Sequence, residues 1–212
     1  MTKPIVALDI DGTLGDHYTH FAQFTALWLG RNVEYRPEAG WPDGATKFQF
    51  YSSLGTSRDT YRKIKLAYRL GGMKRSMPMY DGAPELTDAL VHMGVSVWIC
   101  TSRPYLRLDT MDPDTRHWLK RCHIKFHNVI YGDYKYRELA KIVGPANVIC
   151  VLDDLPEMCA QASRAKLNPI LIERPHNKDR PDDGYLSVKD LWEAQQIIGV
   201  IVEQWQTKRN GR

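Results

Sequence analysis

Apolar runs alternate with amphipathic stretches along most of this chain. Ile5-Val6-Ala7-Leu8 is an unbroken apolar run of the kind a strand buried on both faces needs, and residues 4–9 read as the first strand. Residues 95–100, 128–131, 148–152 and 169–172 read as four more. Between them, residues 84–93, 112–122, 134–143 and 155–167 carry helical patterns. Gly94 and Gly144 stop two of these helices, and Pro113 sits in the first turn of another. Ser187 is expected to cap a last helix, with Asp190 three residues on as an imperfect capping box. Strands alternating with helices predict an α/β fold, a Rossmann-like doubly wound parallel sheet with right-handed crossovers.

One stretch breaks the alternation. Residues 16–30 turn helical directly after the first strand, with Phe21, Phe24 and Trp28 on one face. Residues 31–57 are irregular and aromatic, broken by Pro37, Gly40, Pro42, Gly44 and Gly55. Residues 58–70 read as a basic helix carrying Arg58, Arg62, Lys63, Lys65 and Arg69, ended by Gly71-Gly72. The expected organisation is therefore an α/β core of residues 1–15 and 81–212, with residues 16–80 inserted after the first strand as a small, mainly helical cap. Most of the cap aromatics are expected to form its own core, with Phe24 and Trp28 as candidate substrate contacts. The basic helix reads as a solvated face or, alternatively, a nucleic-acid surface.

Composition narrows the class. The chain has 212 residues, 43% hydrophobic and 25% charged, as expected of a soluble globular protein with one sizeable core. It has no run of about 18 apolar residues, so no membrane span is expected. The four cysteines form no CxxC pair, and Cys100 and Cys150 lie inside apolar runs, which points to buried thiols and a reducing, cytoplasmic setting. Cys122, His123 and His127 lack a fourth ligand at zinc-site spacing. A net charge of +4 suits phosphate-bearing substrates but does not by itself imply nucleic-acid binding.

The candidate chemistry lies where strands end. The first strand runs into Asp9-Ile10-Asp11-Gly12-Thr13-Leu14, and residues two apart in extended chain point the same way, so Asp9 and Asp11 can share one site. A calcium loop counted from Asp9 fails, because glycine falls at position four and His20 at position twelve. The second strand ends in Thr101-Ser102-Arg103 and the fourth in Asp153-Asp154, with Lys135 near the end of the third. The carboxyl edge of an open α/β sheet is where ligands bind. Four carboxylates gathered there need a cation, and hard oxygen donors suit Mg²⁺. Thr101, Ser102 and Lys135 would face an anion beside it. Together these groups describe phosphoryl transfer, with Asp9 attacking phosphorus and Asp11 as general acid and base.

DIDGTL (9–14), TSR (101–103), Lys135 and DD (153–154) match, in order, the four motifs of the haloacid dehalogenase-like (HAD) phosphohydrolase superfamily, over residues 4 to about 175. The resemblance implies a Rossmann-like sheet with the Asp9 strand central. It also implies Asp9 as nucleophile, Asp11 as acid/base oriented by Thr13, and Mg²⁺ as cofactor. The metal set it implies is drawn from Asp9, Asp11 (through its backbone carbonyl), Asp153 and Asp154. Within the superfamily the layout is most similar to 5′(3′)-deoxyribonucleotidases, in cap length and in the phrases Trp98-Ile99-Cys100-Thr101-Ser102 and Leu152-Asp153-Asp154. One departure is that 17 residues, a full helix among them, separate Lys135 from Asp153. The stretch from Thr115-Arg116-His117-Trp118-Leu119 to Lys135 instead resembles the phosphatase domain of polynucleotide kinase-phosphatases, and Lys141 is a rival for the phosphate lysine. Arg103 is open between contacting phosphate and pairing with an acid. His17 and His20 are open between substrate and solvent.

The expectation is an enzyme: a Mg²⁺-dependent phosphomonoesterase of nucleoside monophosphates working through an aspartyl-phosphate. The alternatives are a 3′-phosphatase acting on nucleic-acid ends and a non-catalytic binding domain on the same fold. The partner is expected to be a small phosphorylated molecule, a nucleotide first, with nucleic acid second and oligomeric state open.

Overall fold

The computed structural model describes residues 3–104, 108–178 and 184–210. Strands β1 (Ile5–Leu8), β2 (Ser96–Thr101), β3 (Asn128–Tyr131), β4 (Val148–Asp153), β5 (Pro169–Ile172) and β6 (Leu186–Val188) form one sheet, ordered β3-β2-β1-β4-β5-β6 and parallel throughout. The order reverses between β1 and β4. The crevice outside the strand ends at that switch point is where such sheets bind ligands.

The period-two pattern of β1 shows how the sheet is covered. Val6 and Leu8 join a core cluster with helices α4 (Ala83–His92), α5 (Met111–Arg121) and α8 (Leu191–Asn210). Ile5 and Ala7 join the opposite cluster, with α6 (Lys135–Val143) and α7 (Pro156–Arg164). Both faces are buried, which is why the strands read as continuous apolar runs. Trp118 of α5 is fully buried, and its indole N–H donates to the Met77 carbonyl at 2.7 Å, so a large apolar side chain keeps its polar handle satisfied.

Residues between β1 and α4 form a second aromatic core. Helices α1 (His17–Leu29), α2 (Phe50–Ser53) and α3 (Arg58–Leu70) pack Phe21, Phe50, Ile64 and Tyr68 against one another. Asp16 and Ser57 cap α1 and α3, each accepting at 3.1 Å from the backbone N–H three residues on. The chain leaves and re-enters the sheet-bearing part at one place. There Gly15 bridges Met79, the Asp16 N–H donates to the Pro78 carbonyl at 2.9 Å, and the Tyr80 N–H donates to the Leu14 carbonyl at 2.9 Å.

The C-terminal region departs from the sequence expectation. Ser187 does not cap a helix; it lies in β6, paired with Leu171 of β5. The cap is Asp190, whose side chain accepts from the Glu193 N–H at 2.8 Å, while Glu193 accepts from the Lys189 N–H at 2.8 Å. A three-residue edge strand in which only Val188 is buried has too little alternation to be read from sequence. Among the described residues, no helix is long and apolar enough to cross a membrane.

Candidate active site

Register brings the strand ends together. Leu8 pairs with Ile99 on one side and Leu152 on the other, so Asp9, Thr101 and Asp153 all emerge at the same edge. The Asp9 N–H donates to the Leu152 carbonyl at 3.0 Å, fixing the nucleophile candidate beside Asp153. Lys135, first residue of α6, puts its ammonium between the two carboxylates, 2.5 Å from Asp9 Oδ1 and 2.7 Å from Asp153 Oδ2. Tyr136 adds an O–H donor to the same Asp153 oxygen at 2.6 Å. Lys141 lies one and a half turns on, exposed, and pairs with Glu138 at 3.1 Å.

Burial sets the protonation balance here. It pushes the Asp9 carboxyl well up, Lys135 pulls it down, and Asp153, Asp154 and Asp11 push it up again. Asp153 is raised by burial against the pull of Lys135. Lys135 is disfavoured by burial, but Asp153 and Asp9 outweigh that and hold it charged.

Asp11 is held differently. Arg103, 2% exposed, donates from Nη2 to Asp11 Oδ1 at 2.6 Å and from Nη1 to the Thr115 hydroxyl at 3.0 Å. Lys74 approaches from the other side and donates to Asp11 Oδ2 at 2.5 Å. Burial alone would raise Asp11, but Arg103 and Lys74 together bring it well below the usual carboxylate range. One carboxylate cannot fully satisfy two cations. Burial depresses Lys74 to about 7, with Arg103 adding to that and Asp11 only partly offsetting it, whereas Arg103 keeps its charge. His17 lies 3.2 Å from the Lys74 ammonium and is held neutral by burial and by that charge.

Asp154 points away from this pair. Its carboxylate accepts from the Thr13 hydroxyl at 3.1 Å and the Tyr18 hydroxyl at 2.7 Å, with His176 Nε2 at 3.2 Å. Burial would raise it, yet His176 and Tyr18 bring it below its ordinary value. Thr13 therefore holds Asp154, where the resemblance implied Asp11. The loop after β5 completes the arrangement. Arg174 donates to the Gly12 and Thr13 carbonyls at 2.6 and 2.9 Å, and Asn177 donates to the Asp154 carbonyl at 2.7 Å. Gly12 has φ +100°, and a Cβ there would lie 2.1 Å from Asp154 Oδ2, so only glycine fits this turn without a shift.

A cavity of about 190 Å³ opens on these groups. Asp9, Asp11, Thr101, Ser102, Arg103 and Lys135 line its floor, and Phe48, Phe50, Tyr61, Lys65, Arg69 and Lys74 line it from residues 16–80. Phe24 and Trp28 do not line it. Helix α1 turns His17, Tyr18 and Phe21 inward; Phe24 packs edge-on to Tyr68 within the aromatic core, and Trp28 is 46% exposed. Arg103 faces Asp11, and the His20 ring meets the Tyr68 hydroxyl at 2.6 Å.

Sequence reasoning did not find Lys74, Tyr18, Arg174, His176 or Asn177. The last three carried a usable signal, because they follow the apolar strand 169–172 at the same sheet edge. Lys74 and Tyr18 carried none, since their place depends on how residues 16–80 fold over the sheet.

Asp9, Asp153 and Asp154 each bring a buried carboxylate oxygen within 4.8 Å of the other two, the one such group among the described residues. Cys122, His123 and His127 form no group of this kind, and all four cysteines are free and buried. Three hard carboxylate oxygens, one of them on Asp9, whose carboxyl burial pushes up, suit Mg²⁺, whose charge would relieve their repulsion.

Neither a family model nor a curated protein matches the sequence. Solved structures do match. A predicted phosphatase from Clostridium acetobutylicum aligns with a TM-score of 0.65 at 14% identity, over 93% of this chain and 99% of its own. A HAD-superfamily hydrolase of subfamily IA from Geobacter sulfurreducens PCA gives 0.58 at 17%, over 94% and 96%. CbbY from Rhodobacter sphaeroides, solved with xylulose 1,5-bisphosphate, gives 0.61 at 15%, over 91% and 96%. These likenesses establish the fold: the chain has the Rossmann-like α/β fold of HAD-superfamily hydrolases.

Proposed function

We propose that this protein is a Mg²⁺-dependent phosphomonoesterase acting on a small phosphorylated substrate, with nucleoside monophosphates as the first class to test. The observation that carries the reading is the pairing of a Lys135-held Asp9 with a separately clamped Asp11, both opening on one cavity. The nucleotide preference rests on the sequence resemblance and on Phe48, Phe50 and Tyr61, which offer a base an aromatic wall. The cavity is smaller than the roughly 300–1,000 Å³ typical of pockets for drug-sized ligands, which favours a small ester over a polymer end.

Thr101, Ser102 and Lys135 receive the phosphoryl oxygens. An Asp9 carboxylate oxygen attacks phosphorus, the ester bond breaks, and the leaving oxygen takes a proton from Asp11. Asp11 then takes a proton from water as that water attacks the aspartyl-phosphate, which releases inorganic phosphate and restores Asp9. Asp9 and Asp153, with Asp154 and the Asp11 backbone carbonyl, would hold Mg²⁺, which supplies charge to the equatorial oxygens and keeps Asp9 ionised. Asp11 begins as a strongly paired carboxylate and must gain a proton before it can act as the acid. A phosphoryl dianion competes for Arg103 and Lys74, and each cation drawn away lets the Asp11 pKa climb.

The test is phosphate release with Mg²⁺ by the wild type and Asp9→Asn. The panel is ribo- and deoxyribonucleoside monophosphates, sugar phosphates, p-nitrophenyl phosphate and a 3′-phosphorylated oligonucleotide. Turnover of monophosphates that vanishes in Asp9→Asn supports the reading. Turnover of sugar phosphates alone would overturn the nucleotide preference. Turnover of the oligonucleotide alone, falling steeply with salt, would move the function to nucleic-acid ends.

A further inference from the structure

The Asp154 carboxylate is held by side chains from three parts of the chain. The Thr13 hydroxyl, on the loop after β1, donates to Oδ1 at 3.1 Å. Tyr18, in the first turn of α1, donates to Oδ2 at 2.7 Å. His176, in the loop after β5, brings Nε2 to 3.2 Å from that same oxygen. These three contacts are not equal. His176 Nε2 also lies 3.1 Å from the Asp154 backbone carbonyl. Both neighbours of that nitrogen only accept, so it carries a proton, and its one N–H is divided between them. The Thr13 contact is long for a hydroxyl on a carboxylate. Tyr18 alone gives Asp154 an undivided bond at the length of a charge-assisted O–H···O⁻ contact.

Tyr18 belongs to the inserted segment, whereas Asp154 follows β4, 136 residues on. Its reach depends on Gly12. A Cβ at Gly12 would lie 2.7 Å from Tyr18 Cε2, so the ring crosses the backbone where a side chain would otherwise stand. Aromatic neighbours fix the ring from its other sides. It stacks on Tyr35, with centroids 5.9 Å apart and 3° between the planes, and meets Phe50 edge-on at 5.0 Å. Tyr18 is 6% exposed, so little water competes for its hydroxyl. The Tyr35 hydroxyl is buried too, but it finds no hydrogen-bond partner among the described residues.

We propose that Tyr18 is a positioning residue for the cation: its hydroxyl fixes the Asp154 carboxylate in the orientation from which it joins Asp9 and Asp153, so that Mg²⁺ affinity depends on the inserted segment being seated on the sheet. This rests on reading those three carboxylates as the Mg²⁺ group and deepens it. Partners that orient a ligating carboxylate typically account for about ten- to a hundredfold in metal affinity. A carboxylate left free to turn handicaps Mg²⁺, which demands near-ideal octahedral geometry, more than Ca²⁺, which accepts irregular sets of oxygens. Tyr18 therefore acts on which cation is held as well as on how tightly.

Calorimetric binding of Mg²⁺ and of Ca²⁺ to substrate-free wild type, Tyr18→Phe and Tyr35→Phe reads this without turnover. Tyr18→Phe should bind Mg²⁺ about ten- to a hundredfold more weakly, and Ca²⁺ less than about threefold more weakly. Tyr35→Phe loses a hydroxyl that bonds nothing and should bind both ions as the wild type does. A Mg²⁺ loss smaller than this in Tyr18→Phe overturns the proposal. An equal loss in Tyr35→Phe overturns it as well, since ring packing would then be the cause, and so does a loss as large for Ca²⁺ as for Mg²⁺. A crystal structure of the Mg²⁺-loaded wild type adds a check that needs no variant to fold: the Tyr18 hydroxyl should stay within hydrogen-bond distance of Asp154, and a Tyr18 turned away overturns the proposal. Tyr18-dependent Mg²⁺ binding with no phosphate release from any ester by the wild type would sink the phosphatase reading and leave the positioning role standing. Phosphate release by the wild type, with Mg²⁺ binding untouched in Tyr18→Phe, would do the reverse.

Discussion

The Lys74 ammonium reaches from the 3₁₀ turn Met73–Arg75 to within 2.5 Å of Asp11 Oδ2 on the loop after β1. It is 3% exposed, and burial holds it at about 7 against an ordinary 10.5. A base depressed on folding binds fewer protons in the native chain than in the unfolded one between those two values. Stability should therefore rise with pH from about 7 upward, by at most about 1.4 kcal/mol per unit. Urea unfolding at pH 7 and pH 9 measures this gain in the wild type, and Lys74→Met should lack it. Equal pH dependence in the two proteins would mean that Lys74 is not depressed.

The two candidate lysines give opposite expectations. Lys135→Met leaves buried Asp9 and Asp153 without their shared cation, which typically costs about 3–5 kcal/mol of stability and, on the proposed chemistry, at least about a hundredfold in turnover. Lys141→Met removes only an exposed pair with Glu138, so both quantities should stay within about 0.5 kcal/mol and twofold. Thermal melts with phosphate-release assays decide the matter, and a silent Lys135→Met would remove that lysine from the site.

At Gly12 the prediction is steric. A methyl group there meets Asp154 and Tyr18 at a backbone angle of +100° that side chains avoid. Gly12→Ala should lose roughly 2 kcal/mol or more and should displace Asp154. A crystal structure of a folded variant with Asp154 unmoved would contradict this.

Cation binding can be followed without turnover. Mg²⁺ should raise the melting temperature, approaching about 2.7 kcal/mol of stabilisation at a hundred times its dissociation constant. Asp153→Asn should abolish the shift. A wild type indifferent to Mg²⁺ and Ca²⁺ alike would leave the carboxylate group Asp9, Asp153 and Asp154 without a cation to hold.

The parts of this site that could be read from sequence are those fixed by strand geometry. Asp9, Thr101 and Asp153 follow apolar runs, and a parallel sheet in register must deliver them to one edge. Lys135 follows the third apolar run closely enough to lie near the same edge. What could not be read depends on contacts distant in sequence. Lys74 is 63 residues from Asp11, and Tyr18 is 136 from Asp154. Phe24 and Trp28 share a helical stripe with Phe21, yet none of the three lines the cavity, which His17 and Tyr18 reach from the start of the helix. Leu186–Val188 escaped because three residues, two of them exposed, carry no period.

At the join between Leu14–Asp16 and Pro78–Tyr80 the chain departs and returns side by side, bonded across like the two edges of a closed seam. The β1-to-α4 crossover thus begins and ends at fixed points whatever lies between them. The segment that supplies Phe48, Tyr61, Lys65 and Arg69 hangs from that seam as one face of the cavity. The strands that carry Asp9, Thr101 and Asp153 pair with one another and not with this segment, so their order and register do not depend on its length. On the proposed chemistry, a change that tunes selectivity can therefore fall in this segment while the groups at the strand ends stay in place. Two of its residues also grip the strand-end carboxylates, Lys74 on Asp11 and Tyr18 on Asp154, and a change that removed either would reach past selectivity into the carboxylates themselves.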